Sequence, residues 1–339
     1  MRKTIFTIIL LIFSIPILAG DETRKGTTGA EQLLIPVGAR GVATGGAFLS
    51  SLSGLEAIYY NPAGLGLMSG SEAMFSHMSY IADIGVSYFA VGTNIADLGS
   101  IALTYKTLDF GNIPVTTFDN PDGTGQTYSP GFFVVGLTYA KSVTNKVAAG
   151  FNFKIINESI MNTSASGIAI DFGVQYKFDN SFSIAAAVKN IGTNMEYTGE
   201  DLKIRTEVPG SGYGSGNGIY QADAESFEIP SYFELSTSYN FIFNEQNNIL
   251  LGTTFRNNNA LEDQLKFGLE YGFQNIFFIR GGYDMLLENV DDNVFGLALG
   301  AGLDYSFSDG IGVVFDYAYM EVKEFPTPNH VFTVKLAIE

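Results

Sequence analysis

Two histidines, His77 and His330, and no cysteine are all the imidazole and thiol chemistry this 339-residue chain carries. Nucleophilic catalysis needs a nucleophile with a base in reach, and neither histidine sits beside a serine elbow motif. The chain therefore reads as no enzyme, with no catalytic residue. Asp119-Asn120-Pro121-Asp122-Gly123 and Asp291-Asp292-Asn293 have the composition of calcium loops. They lack the spaced ligands and terminal Glu of an EF-hand, so turn formation is the better reading and no metal or cofactor is expected. The absence of cysteine also excludes a disulfide framework and lipidation at a mature N-terminal Cys.

The charged residues that remain share one face of a repeating pattern. From about Phe75 to Ile338, stretches of roughly ten residues alternate apolar with small or polar side chains. Val147, Ala149, Phe151, Phe153 and Ile155 interleave with Ala148, Gly150, Asn152 and Lys154, and the same period returns in 170–178 and 332–338. A strand in a soluble sandwich runs about 5 to 6 residues, whereas one crossing a bilayer obliquely needs about 9 to 11. The pattern predicts an all-β fold, a transmembrane antiparallel β-barrel. Strands are expected near 72–81, 84–94, 98–108, 130–141, 146–158, 165–178, 181–190, 229–243, 247–257, 263–273, 275–287, 293–307, 310–321 and 329–338, about fourteen in all. Tight polar links such as Asp179-Asn180 and Gln274-Asn275 alternate with longer ones, chiefly 109–129 and 191–228. Short turns on the periplasmic side and long loops outside are the habit of outer-membrane barrels.

One parity of the strands carries aromatics near strand ends, among them Tyr139, Tyr176, Phe178, Tyr239, Phe241, Phe273, Tyr305 and Phe307, as an interfacial girdle would. The other carries Asp171, Lys177, Glu234, Lys266, Glu270, Arg280, Asp304 and Asp316, charges that lipid would penalise and a polar or plugged lumen would tolerate.

The N-terminus fits export. Arg2 and Lys3 precede an apolar run from Ile5 to Leu18, and Ala19-Gly20 supply small residues for cleavage, so 1–20 reads as a signal peptide too short to anchor as a helix. A formal charge of -17 with no basic stripe argues against nucleic acid as a partner. Residues 21–70 break the strand pattern: Gly26 to Gly70 has short apolar clusters spaced by glycines, and Asn61-Pro62 suits a helical start, with Asn as cap and Pro at the first position. The segment reads as an N-terminal plug, or hatch, in the periplasmic half of a barrel formed by 71–339. Spacing alone leaves open which side of the wall it occupies.

The stretch Pro36-Val37-Gly38-Ala39-Arg40-Gly41-Val42-Ala43-Thr44-Gly45-Gly46-Ala47-Phe48, with Ala57-Ile58-Tyr59-Tyr60-Asn61-Pro62-Ala63-Gly64-Leu65, resembles the N-terminal signature of the PorV/PorQ proteins within the FadL-like outer-membrane barrels. Val188-Lys189-Asn190-Ile191-Gly192 and Asp316-Tyr317-Ala318-Tyr319 are similar to that family too. The resemblance implies a fourteen-stranded plugged barrel in the outer membrane. For PorV-like proteins it implies work in a type IX secretion system, binding or shuttling secreted cargo. For FadL-like proteins it implies passage of hydrophobic small molecules such as fatty acids, and this reading would gain if lipid-like ligands bound with Leu33, Leu34 and Phe48 lining the pocket. The secretion role is the leading expectation and the channel its alternative. Expected partners are therefore outer-membrane lipid, secreted proteins or secretion components, and possible hydrophobic ligands.

Within the plug motif (Gly38, Arg40, Gly45, Gly46, Asn61, Pro62, Ala63, Gly64, Leu65), Arg40 is expected to pair with a lumen carboxylate: Glu234, Glu270, Asp304 or Asp316. The glycine-rich run in 191–228 offers a candidate partner loop at Pro209, Gly210, Tyr213 and Tyr220. The first and last strands are expected to be antiparallel neighbours that close the sheet.

Overall fold

Alternating burial runs through every long strand: in Ser100–Asp109 the side chains of Ser100, Ala102, Thr104, Lys106 and Leu108 are buried, while Ile101, Leu103 and Tyr105 face out. Here the outside is apolar and the inside polar or small, the inverse of a soluble protein and the arrangement a lipid-embedded barrel requires. A computed structural model describes residues 26–207, 210, 217–290, 293–307 and 310–338. The expected signal peptide, residues 21–25, Pro209, Tyr213, Asp291-Asp292 and the turn residues Ser308-Asp309 lie outside the described residues.

Fourteen strands form the wall: β1 (Ser71–Ser79), β2 (Gly85–Asn94), β3 (Ser100–Asp109), β4 (Gly131–Ser142), β5 (Val147–Ile160), β6 (Thr163–Lys177), β7 (Phe182–Gly192), β8 (Tyr232–Asn244), β9 (Asn247–Asn258), β10 (Gln264–Phe273), β11 (Phe277–Leu286), β12 (Phe295–Ser306), β13 (Ile311–Val322) and β14 (Asn329–Ile338). Each pairs antiparallel with its sequence neighbours. β14 returns to β1 with Ser79 opposite His330 and Ser71 opposite Ile338, so the sheet closes and no edge is exposed. These strands match the expected ones to within about three residues at either end. Chemistry explains the turns: at the β6–β7 link the Asp179 carboxylate accepts the Ser181 and Phe182 backbone N–H groups, both at 2.8 Å, which also holds its carboxyl below the usual range.

One continuous run of aromatic residues lies at the short-turn end. Tyr176, Phe178, Phe182, Tyr239 and Phe241 touch in succession across β6, β7 and β8, with ring centroids 4.5 to 6.5 Å apart. Their amphipathic rings suit the headgroup level of a membrane interface. Between β7 and β8 the longest loop carries its own hairpin, Lys203–Glu207 against Asn217–Gln221. This hairpin takes in Asn217 and Gly218 at the end of the glycine-rich run 208–218. Tyr220 lies in it, exposed, and Gly210 sits in a turn with φ 80°.

Residues 26–70 lie in the lumen. Two short helices, α1 (Ala39–Ala43) and α2 (Ala57–Tyr60), and 3-10 turns at Glu31–Leu33 and Pro62–Leu67 are held from all round the wall. The Ala39 N–H donates to Thr333 Oγ1 of β14 at 2.8 Å, Lys106 of β3 donates to the Gln32 and Ile35 carbonyls, Gln175 of β6 donates to those of Leu49 and Leu52, and Ser50 bonds Ser238 of β8. The segment is not confined to the periplasmic half, as the sequence suggested. It begins under the external loop, where the Gly29 N–H donates to the Glu228 carbonyl at 3.0 Å, and ends at the short-turn side, where Gly70 O accepts from Asn94 N–H at 2.7 Å.

Candidate functional site: the lumen and its cavity

Backbone approaches backbone where the segment meets the wall. A Cβ at Gly282 of β11 would lie 2.2 Å from Gly45 N and Thr44 C, so only glycine permits this contact. In β12, a Cβ at Gly300 would strike Ala43 of α1, and one at Gly302 would strike Arg280 and Asp316. The Gly296-x-x-x-Gly300 spacing therefore serves two different ends: Gly300 seats the segment, while the cavity reaches Gly296. Phe48 packs into the gap left by Gly252 and Gly268 and is fully buried, so it is no pocket residue.

Among the described residues, most buried ionic groups of the inner face fall into three clusters, with a separate Lys335–Glu72 pair at 3.8 Å. In the first, the Arg40 guanidinium meets Glu270 through two hydrogen bonds of 2.9 and 2.8 Å, Glu270 also accepts from Arg280, and Arg280 donates to Asp316 across the strand that carries Gly302. In the second, Glu234 accepts from Arg256 at 2.7 Å, with the Lys266 ammonium at 3.7 Å. In the third, Asp171 bonds Lys154 at 2.7 Å and lies 3.5 Å from Lys189, whose ammonium also donates to the Tyr59 carbonyl. A one-residue irregularity in the β6–β7 ladder allows this: Asn190 takes a left-handed φ of 59° and its N–H donates to Asp171. Buried charges need partners of this kind, because an unpaired one would cost several kcal/mol.

Of the four carboxylates put forward for Arg40, the structure places Glu270 against it. Asp316 is linked through Arg280, Glu234 belongs to the second cluster, and Asp304 is half-buried on β12. Asn61 accepts the Ala63 N–H at 3.0 Å as a cap, Pro62 follows at the first position, and Ala63, Gly64 and Leu65 are buried behind it. Gly38 turns the chain at φ 81°, pressed against the Glu56 side chain. Lys106 and Arg256 were not named from the sequence, and Lys154 and Lys189 were named there without a role, although each occupies the buried parity of its strand.

Above the lumenal segment a cavity of about 530 Å³ remains. Its floor includes Leu34, Ile35, Gly45, Gly46 and Tyr59. The wall is divided: Tyr80, Leu108, Phe132, Phe295 and Met320, from β1, β3, β4, β12 and β13 or the ends beside them, form an apolar arc. Arg256, Gln264, Lys266 and Asp284, from β9, β10 and β11, form a polar one. A volume in the range of small-molecule sites, mostly apolar with a few converging polar groups, is what ligand binding requires. A second cavity of about 40 Å³ lies among Leu33, Lys106, Lys154 and Asp171. No group of metal-binding side chains occurs among the described residues.

Solved structures share this architecture. The CymD monoaromatic hydrocarbon channel superposes with a TM-score of 0.56 at 14% identity, over 90% of this chain and 98% of that one. The Ralstonia pickettii toluene transporter TbuX gives 0.54 at 14% identity, over 90% and 99%. A FadL homologue from Pseudomonas aeruginosa gives 0.53 at 13% identity, over 90% and 98%. The fold is that of the FadL-type barrels. Two of these neighbours are named as a hydrocarbon channel and a toluene transporter. No family profile and no curated protein matches the chain.

Proposed function

We propose that the protein is an outer-membrane channel for hydrophobic small molecules. The observation that carries this reading is the cavity of about 530 Å³, open to an apolar arc of the wall and floored by the lumenal segment. In this role residues 26–70 act as the plug that sets the depth of the site, and the Arg40–Glu270 pair is one of its anchors. The FadL-type fold supports the reading, since two of the neighbours bear names of hydrocarbon or toluene transport. The type IX secretion role rests on the motif resemblance to PorV/PorQ proteins alone, and the exposed hairpin that includes Tyr220 would be its partner surface.

One experiment separates the two. Cells producing the protein in their outer membrane are given labelled toluene and compared with cells lacking it, while detergent-extracted protein is tested for bound secreted proteins. Faster toluene entry with no co-purified cargo supports the channel. Unchanged entry together with cargo carrying a shared C-terminal domain would replace it with the secretion role.

A further inference from the structure

Among the described residues eight buried side-chain polar atoms have no hydrogen-bond partner, and four of the eight belong to residues that line the larger cavity. They are Glu158 Oε1 on β5, Gln264 Oε1 on β10, Asp284 Oδ1 on β11 and Gln32 Nε2 in the lumenal segment. Glu158 and Gln32 are each only 3% exposed. A buried polar group left unpaired costs about 1 to 3 kcal/mol, and more when charged, so such a concentration in one cavity needs an explanation.

The inventory is asymmetric: three acceptors and one donor. Glu158 already uses its other oxygen to accept from the Tyr197 hydroxyl. The cations of the polar arc are spoken for. Arg256 donates to Glu234, and Lys266 lies between Glu234 and the Asp284 Oδ2 atom, at 3.7 and 3.8 Å. An incoming carboxylate would find these cations engaged and would meet Glu158 and Asp284 as like charges. A bare hydrocarbon would satisfy the apolar arc and leave all three acceptors unpaired.

We propose that the cavity is specific for an amphiphile whose apolar body lies against the Phe132–Phe295–Met320 arc and whose polar end donates hydrogen bonds, a hydroxyl or an amine, to the acceptors Glu158, Gln264 and Asp284. This rests on the channel reading and narrows it: the preferred ligand is neither a plain hydrocarbon nor a carboxylic acid.

The test uses the full-length protein in lipid nanodiscs with four probes of one chain length: octane, 1-octanol, octylamine and octanoate. Each is measured by displacement of an apolar dye, in the wild type, in Gln264→Leu and in Glu158→Leu. Partition into the lipid is common to all three proteins, so differences between them belong to the site. The expected result is octanol or octylamine bound about tenfold more tightly than octane, as one well-made hydrogen bond in a dry site provides. Octanoate should bind weakest. Either substitution should bring the ratio of donor-bearing probe to octane towards one. Glu158→Gln, which keeps an acceptor oxygen, should retain the octanol preference. Octane bound as tightly as octanol and octylamine, or octanoate bound tightest, would overturn the proposal and leave the channel reading standing. Failure of all four probes to bind would remove both.

Discussion

Arg40 in α1 and Glu270 on β10, 230 residues apart in sequence, are joined by a two-pronged contact in which Nε and Nη2 each donate to a separate carboxylate oxygen. Planar fork meets planar carboxylate, which fixes orientation as well as distance and which a lysine could not reproduce. The carboxylate is shared with Arg280, so losing Arg40 does not strand an unpaired buried charge. The pair joins the segment to the wall.

Arg40→Ala should therefore loosen the segment by about 2 kcal/mol, the range for hydrogen bonds to charged groups, while the barrel still assembles. Limited proteolysis and hydrogen exchange over residues 31–49 measure this. Protection equal to that of the wild type would show that the pair contributes nothing to docking.

Gly282→Val should act at the same interface by a different route. Its branched side chain would enter the space held by the Thr44 and Gly45 backbone, and overpacking of this kind costs about 1 to 3 kcal/mol. The segment should become protease-sensitive while the folded barrel retains its altered mobility in unheated gels. A segment as resistant as the wild type's would mean that the wall yields instead.

Lys106→Met should disturb the floor of the cavity. The ammonium donates to the Gln32 carbonyl at 2.6 Å and the Ile35 carbonyl at 2.5 Å, and its removal leaves two buried acceptors unpaired at about 1 to 3 kcal/mol each. Faster amide exchange confined to residues 31–37 is the expected signature. Exchange unchanged there would show that other contacts hold this turn.

Closure of the barrel predicts a crosslink. Cysteines at Ser79 and His330, which are direct partners across the β1–β14 seam, should form a disulfide in folded protein. Cysteines at Ser79 and Ser183 should not. The reverse pattern, read on a non-reducing gel, would contradict the strand order.

The wall was legible because a strand with lipid on one side and a lumen on the other repeats with a period of two, and that period survives in the sequence wherever the strand does. Tyr139, Phe178 and Phe307 could be placed outside, and Glu270 and Arg280 inside, by parity alone. The same parity carries Lys106, but nothing local shows that its partners are the carbonyls of Gln32 and Ile35, more than 70 residues earlier. The lumenal segment was legible as an exception and at its Asn61-Pro62 cap, where the chemistry is local. Its depth was not, since that depends on contacts such as Gly29 to Glu228 which spacing does not encode. That Phe48 is packed against the wall and does not line the cavity was illegible for the same reason. The space it fills belongs to Gly252 and Gly268, two strands of the far sequence.

The central claim is that hydrophobic molecules occupy the cavity above the lumenal segment, and the most direct measurement is entry of labelled toluene into cells producing Leu34→Trp. Leu34 is half-buried in the cavity floor, so the indole grows into the open space and not into packed wall. With equal amounts of folded protein in the outer membrane, entry should fall to the level of cells lacking the protein. Entry at the wild-type rate would place the route elsewhere and contradict the account.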